Sequence, residues 1–188
     1  MRVLAIPGSV RAGSLNARLL RHVAEQAPAG VDVELYGGLK SIPPYDEDDD
    51  TDAPPAEVAA LREAIERADA ILIATPEYNH SIPGILKNAL DWASRPHTTS
   101  TLRNKPVAVT GASTGRFGAV WAQAEARKVL GATGARVIDT EAVAIALAHD
   151  AFDAKGRLTT TDHEVGLLRI LDDLASEVER DARVPVPA

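Results

Sequence analysis

No cysteine occurs among the 188 residues, which removes disulfides, thiolate zinc sites, iron–sulfur clusters and a cysteine nucleophile together. No apolar run approaches the length of a membrane span, and Met1-Arg-Val-Leu-Ala-Ile-Pro7 is too short and too lightly charged for a secretory signal. These absences lead to the expectation of a cytoplasmic protein with no membrane partner. A basic excess is missing too: 20 Lys plus Arg stand against 27 Asp plus Glu, so the formal net charge is −7 and a nucleic-acid partner is disfavoured. The histidines form no H-E-x-x-H pair, so no metal site is expected. The acidic run Asp46-Glu-Asp-Asp-Asp-Thr-Asp52 follows no EF-hand spacing and reads as a solvated surface loop. Internal repeats and linkers are also lacking, and 45% hydrophobic content suits one globular domain, expected over 1–182. Arg183-Val-Pro-Val-Pro-Ala188 reads as a frayed tail.

What is present is an alternation of short apolar runs with helical periodicities. Arg2 to Ile6 predicts a strand closed by Pro7-Gly8, and Leu15, Leu19, Leu20 and Val23 recur at helical spacing after Ser14. Val31 to Tyr36 alternates as a second strand, and Val58, Leu61 and Ile65 mark a second helix. Asp69 to Thr75 is the most hydrophobic strand, as a strand covered on both faces must be. A helix from Gly84 to about Ser94, a strand Pro106 to Thr110 and a helix from about Ala119 to Gly131 follow. Arg136 to Ile138 closes the strand set, Val143 to Ala148 is a weaker extended segment, and Leu167, Leu171, Leu174 and Val178 define a last helix. Such alternation specifies a parallel sheet covered by helices, with ligands beyond the carboxyl ends of the strands.

Three loops leave those ends. Gly8-Ser-Val-Arg-Ala-Gly-Ser-Leu-Asn16 suits an anion: free N–H groups at a helix start favour a phosphate, Ser9, Ser14 and Asn16 add side-chain donors, and Arg11 adds a charge-assisted bond. Ser14 equally suits an N-cap. This loop is neither G-x-x-x-x-G-K-[ST] nor G-x-G-x-x-G, which argues against a triphosphate-hydrolysing enzyme and a standard dinucleotide site. Thr75-Pro-Glu-Tyr-Asn-His-Ser-Ile-Pro-Gly84 is stiffened by two prolines, while Tyr78 and Asn79 suit a planar heterocycle. Tyr78 also suits plain packing, His80 an exposed loop position, and Glu77 either a catalytic or a structural role. The third loop, Gly111-Ala-Ser-Thr-Gly-Arg-Phe-Gly118, permits close backbone approach and offers Ser113 and Thr114. Its first five residues match the G-x-S-x-G elbow of serine hydrolases, with His149 or His163 and Asp139 or Asp150 downstream. That alternative leaves the first two loops unexplained.

Together Gly8 to Asn16, the stretch Pro76-Glu-Tyr-Asn-His-Ser-Ile-Pro-Gly-Ile-Leu-Lys-Asn-Ala-Leu-Asp-Trp92 and Gly111 to Gly115 resemble the NADPH-dependent FMN reductase family, across nearly the whole chain. The resemblance implies a flavodoxin-like three-layer α/β/α sandwich with a five-stranded parallel sheet of order 2-1-3-4-5. It implies that Ser9, Arg11, Ser14, Leu15 and Asn16 contact the FMN phosphate. Pro76, Glu77, Tyr78 and Asn79 would border the isoalloxazine, with Ser113 and Gly115 at its other edge. It further implies a homodimer or homotetramer built through the helix carrying Ile85, Leu86, Leu90 and Trp92, although those residues equally suit packing into their own subunit. Where many relatives carry an arginine, this chain has Trp121-Ala-Gln123, so contacts of that arginine do not carry over.

The expected activity is transfer of hydride from NADPH or NADH through bound FMN to an acceptor such as a quinone, free flavin, chromate or an azo compound. No catalytic side chain is nominated, because the flavin carries the redox chemistry. A flavodoxin-type electron carrier without nicotinamide turnover is the main alternative.

Overall fold

The computed structural model describes residues 1–183; the expected tail begins at the last residue of the final helix, and residues 184–188 lie outside the described residues. In chain order the elements are β1 (Arg2–Pro7), α1 (Leu15–Gln26), β2 (Asp32–Leu35), α2 (Ala56–Arg67), β3 (Ala70–Ala74) and α3 (Gly84–Ala93). Then come β4 (Pro106–Ala112), α4 (Val120–Ala132), β5 (Arg136–Val137), β6 (Ala144–Ile145) and α5 (Thr161–Arg183). All strand pairs are parallel and run in the order β2-β1-β3-β4-β5.

The twofold alternation of a strand sorts its side chains onto two faces. Leu4, Ile6, Ile71, Ile73, Val107 and Val109 enter one buried cluster with Val58 and Leu61 of α2, Leu86 and Leu90 of α3, and Leu130 of α4. Val3, Ala5, Ala70, Leu72 and Ala108 enter the other with Leu19, Leu20 and Val23 of α1 and Leu167, Ile170 and Leu171 of α5. The result is a flavodoxin-like three-layer sandwich in which β3 is buried throughout. On α3, Leu86, Leu90 and Trp92 pack into their own chain, so they are not free to build a subunit interface. Trp92 Nε1 and Asn88 Nδ2 donate to the Pro43 carbonyl at 2.9 and 2.8 Å, and Asn88 Oδ1 accepts from Tyr45 N–H at 2.7 Å. The long loop after β2 is thereby bound to α3.

The sheet departs from five strands at one edge. β5 pairs with β4 only at Pro106 and Val107, and β6 takes up the same edge at Gly111 and Ala112. A two-residue strand has too little periodicity to be read from sequence. Between the two lies a stretch of β4 whose Val109 carbonyl faces no strand. Arg127 of α4 fills it, its Nη2 donating to Val109 O at 2.9 Å, while burial pushes its guanidinium pKa down. Thr110 Oγ1 and Gln123 Nε2 both donate to Val143 O, at 2.8 and 3.2 Å, and so bring β6 into place.

Arg127→Met keeps the apolar stem but strands the Val109 carbonyl inside the protein. It is expected to lower unfolding free energy by about 1–3 kcal/mol in urea denaturation, with the native circular dichroism spectrum retained.

Candidate functional site

At the carboxyl ends of β1, β3 and β4 the three loops enclose a cleft of about 340 Å³, lined by Ser9, Arg11, Ser14, Leu15 and Asn16, by Pro76, Glu77 and Tyr78, and by Ala112, Ser113 and Thr114. Asn79 and Gly115 stand just outside that lining, and Ala112 and Thr114 join it. A larger hollow of about 630 Å³, lined by Met1, Arg2, Asp32 and Asp69 among others, lies at the amino ends of the strands, away from where open parallel sheets bind ligands.

The first loop feeds directly into α1. Ser14 Oγ accepts from Ala17 N–H at 3.1 Å as N-cap, so its hydroxyl proton stays available. The N–H groups of Leu15 and Asn16 make no hydrogen bond among the described residues and point out of the helix start, where the dipole is positive. Arg11 is exposed and folds back over Gly13, with no carboxylate partner among the described residues. Asn16 behaves differently from expectation. Its side chain is buried and exchanges two hydrogen bonds of 2.9 Å with Ala112, donating to its carbonyl and accepting from its N–H. The amide expected to reach a ligand is thus spent on the end of β4, and only the backbone N–H of Asn16 is left for one.

The second loop is a tight hairpin: Tyr78 and Ser81 exchange backbone hydrogen bonds of 3.0 and 3.1 Å around Asn79 and His80, both left-handed at φ 53° and 60°. Asparagine and histidine tolerate that conformation better than most residues. Glu77 resolves its ambiguity in part. Its Oε2 accepts from the N–H groups of Trp121 and Ala122, both at 3.1 Å, and so caps α4 from the second loop. The residue preceding α4, Ala119, has no side chain able to do this. On the outer lip, His80 meets Trp121 edge-on at 4.8 Å between ring centroids, and Phe117 meets Trp121 at 4.9 Å. Sequence reading missed this ridge because its members come from two loops and the start of α4.

The third loop is tied to the segment after β6: Ser113 N–H donates to Ile145 O, and Ala148 N–H and Leu147 N–H donate to Ser113 O and Gly115 O, each at 3.0 Å. Gly118 is left-handed at φ 57°, and a Cβ there would fall 2.5 Å from the Ala144 carbonyl carbon, so glycine is required. Ser113 Oγ accepts from Gly115 N–H at 3.1 Å and has no histidine partner among the described residues. His149 instead pairs with Asp150 at 3.1 Å. The serine-hydrolase arrangement is therefore not assembled. Of the acidic run, Asp50 pairs with Arg62 at 2.7 Å, and among the described residues no group of three or more metal-ligating side chains comes together.

Helix-start donors at one end of a cleft and a Pro-Glu-Tyr wall along its side, beyond a 2-1-3-4-5 parallel sheet, define a flavodoxin-like α/β protein with its cleft at the carboxyl ends of the strands. The chain belongs to the NADPH-dependent FMN reductase family, whose model matches residues 1–150. It is 44% identical over 158 residues to an NAD(P)H-dependent FMN reductase of Pseudomonas aeruginosa, covering 84% of each chain. It is 37% identical to a 2-hydroxy-1,4-benzoquinone reductase of a Burkholderia species, over 98% of this chain and 99% of that one. In structure it is similar to a flavoenzyme NAD(P)H:acceptor oxidoreductase of Paracoccus denitrificans, with a TM-score of 0.83, 34% identity, and coverage of 95% of this chain and 97% of the other.

Because Glu77 caps α4, Glu77→Ala is expected to lower stability by about 1–2 kcal/mol, and Glu77→Gln, which keeps one acceptor oxygen, by clearly less. Thermal unfolding of both variants checks this. Equal losses in the two would show that the carboxamide cannot substitute as a cap.

Proposed function

We propose that the cleft binds one FMN and that the chain is an NAD(P)H-dependent reductase whose acceptor is a quinone-like compound, with free flavin, chromate and azo compounds as further acceptors. The observation that carries this reading is the uncommitted donor set at the start of α1: two free N–H groups, the Ser9 and Ser14 hydroxyls and the Arg11 guanidinium face one end of the cleft. A phosphate with several acceptor oxygens fits that set, and among the described residues no acceptor uses it.

In this reading Ser9, Arg11, Ser14 and the backbone of Leu15 and Asn16 hold the phosphate. Pro76, Glu77, Tyr78 and Asn79 border the ring on one side, and Ser113 and Gly115, with Thr114, approach its other edge. When bound, FMN supplies the redox chemistry, taking a hydride from the nicotinamide and returning the electrons to the acceptor. The protein's part is to orient: the hairpin at Tyr78 to Ser81 and the Glu77 cap keep the wall rigid, and Asn16 keeps the first and third loops in register. No side chain is assigned as acid or base. The similarity to named reductases over 84–99% of their lengths favours an enzyme over an electron carrier without nicotinamide turnover.

The same proposal takes 1–182 as one domain and places the protein in the cytoplasm. It also takes the protein as a homodimer or homotetramer. With Leu86, Leu90 and Trp92 buried internally, Phe117, Val120 and Trp121 are among the exposed apolar residues offered for subunit contact.

Arg11→Ala combined with Ser14→Ala is expected to weaken FMN binding about ten-fold or more, read from flavin fluorescence quenching, with the fold intact. Unchanged affinity would remove this loop from the site. With wild-type protein, FMN and NADPH mixed without oxygen, flavin reduction no faster than in a protein-free control would defeat the reductase reading.

A further inference from the structure

We propose that the groove between α1 and the turn Asp153 to Arg157 is a second anion site, built for a phosphoryl group and separate from the cleft of the three loops. Arg18, Arg21, His22 and Glu25 follow one another at helical spacing and form one face of α1. Asp153, Ala154, Lys155 and Gly156 stand opposite, and the space between is about 430 Å³.

The charges in this groove are unbalanced. Arg18, Arg21 and Lys155 are exposed and have no carboxylate partner among the described residues. Asp153 does not offset them, because it is fully engaged by its own turn: Arg157 Nε and Nη2 donate to it at 2.9 and 2.8 Å, and the N–H groups of Lys155 and Arg157 at 2.9 Å. Glu25 is the one remaining acid in the lining. Clustered uncompensated cations repel one another, and they do so here in a chain of net charge −7. The Arg18 guanidinium is also held in place, 5.5 Å above the centroid of the buried Phe152 ring.

A second observation is independent of the surface charges. His22 lines the groove and is only 2% exposed, yet neither of its ring nitrogens makes a hydrogen bond. Nε2 lies 3.3 Å from Glu164 Oε2 without hydrogen-bond geometry, and Nδ1 has no hydrogen-bond partner among the described residues. Buried polar nitrogens in folded proteins are almost always satisfied. Both nitrogens are shut off from solvent and Glu164 stands against Nε2, so the ring forms a polar wall of the groove, and a phosphoryl group seated among Arg18, Arg21 and Lys155 compensates those cations.

Two sources offer such a group: a small free phosphate compound, or the 2′-phosphate that distinguishes NADPH from NADH. Arg18 lies four residues, roughly 6 Å of helix, beyond Ser14 of the cleft, so a nicotinamide dinucleotide acting there has the groove beside it. This second source rests on the function proposed for the cleft; the anion site itself does not.

Calorimetric titration of inorganic phosphate into the FMN-loaded protein at fixed ionic strength tests the site. Saturable binding that Arg21→Gln with Lys155→Gln weakens about ten-fold or more, and that Arg11→Ala with Ser14→Ala retains, is the expected result. No saturable binding, or binding that the Arg21 and Lys155 substitutions leave unchanged, overturns the proposal. Titrating the Arg11 and Ser14 variant without flavin reads the groove even if the chain takes up no FMN, so the two readings fail separately. A rise in KM for NADPH in the Arg21 and Lys155 variant, with KM for NADH unchanged, identifies the 2′-phosphate. Lost phosphate binding with both KM values unchanged identifies a free phosphate compound.

Discussion

The reciprocal pair of hydrogen bonds between the Asn16 side chain and the Ala112 backbone is the joint on which the cleft depends. β4 is the longest strand, and its last residues extend past β3 into the region where the loops meet. By presenting a carbonyl and an amide to Ala112, Asn16 acts as one residue of an extra strand and ends the sheet without an unsatisfied backbone group. The first turn of α1 is thereby fixed to the start of the third loop. Both bonds are buried, so losing either partner would leave the other group stranded away from water. The anion-seeking helix start and the Ser113 edge are therefore held as one unit.

On the far side of β4 the same problem recurs with different residues. β5 is too short to cover the edge of β4, and Arg127, Thr110 and Gln123 act as side-chain substitutes for missing backbone partners. Gln123 also donates to Gly118 O, so one side chain positions both β6 and the turn entering α4. Glu77 then caps α4 from the second loop, which closes a ring of contacts from α1 through β4 and α4 back to β3. Each link is a side-chain bond to backbone. Together they let the loops stay short and rigid while the donors facing the cleft remain free.

Local patterning was enough to read most of the architecture. The apolar runs read at Arg2 to Ile6, Asp69 to Thr75 and Pro106 to Thr110 correspond to β1, β3 and β4, and Ser14 became the cap of α1. The three loops met as a strand-order argument requires, because parallel crossovers bring carboxyl ends together. What stayed hidden depends on pairing across the fold. Whether Asn16 faces a ligand or Ala112 turns on a partner 96 positions away in sequence. Glu77 reads as a cap only once Trp121 is known to lie above it, and β6 is too short to signal itself. Leu86, Leu90 and Trp92 illustrate the opposite limit: an apolar helix face shows that something covers it, and only the packing shows that the cover is its own core.

Electrostatics reconcile an acidic chain with anionic ligands. A net charge of −7 spread over the surface would repel both FMN and a nicotinamide dinucleotide if it acted as a whole. At physiological salt, charges are screened beyond roughly 8–10 Å, so what a ligand meets is the local distribution. A dense acidic run lies at 46–52, on the loop that α3 carries, while Arg11 in the loop before α1 and Arg18 and Arg21 on that helix have no acidic partners among the described residues. The positive end of the helix dipole adds to them at Leu15 and Asn16. One helix and the loop that enters it thus present a local positive field on a protein that is negative overall.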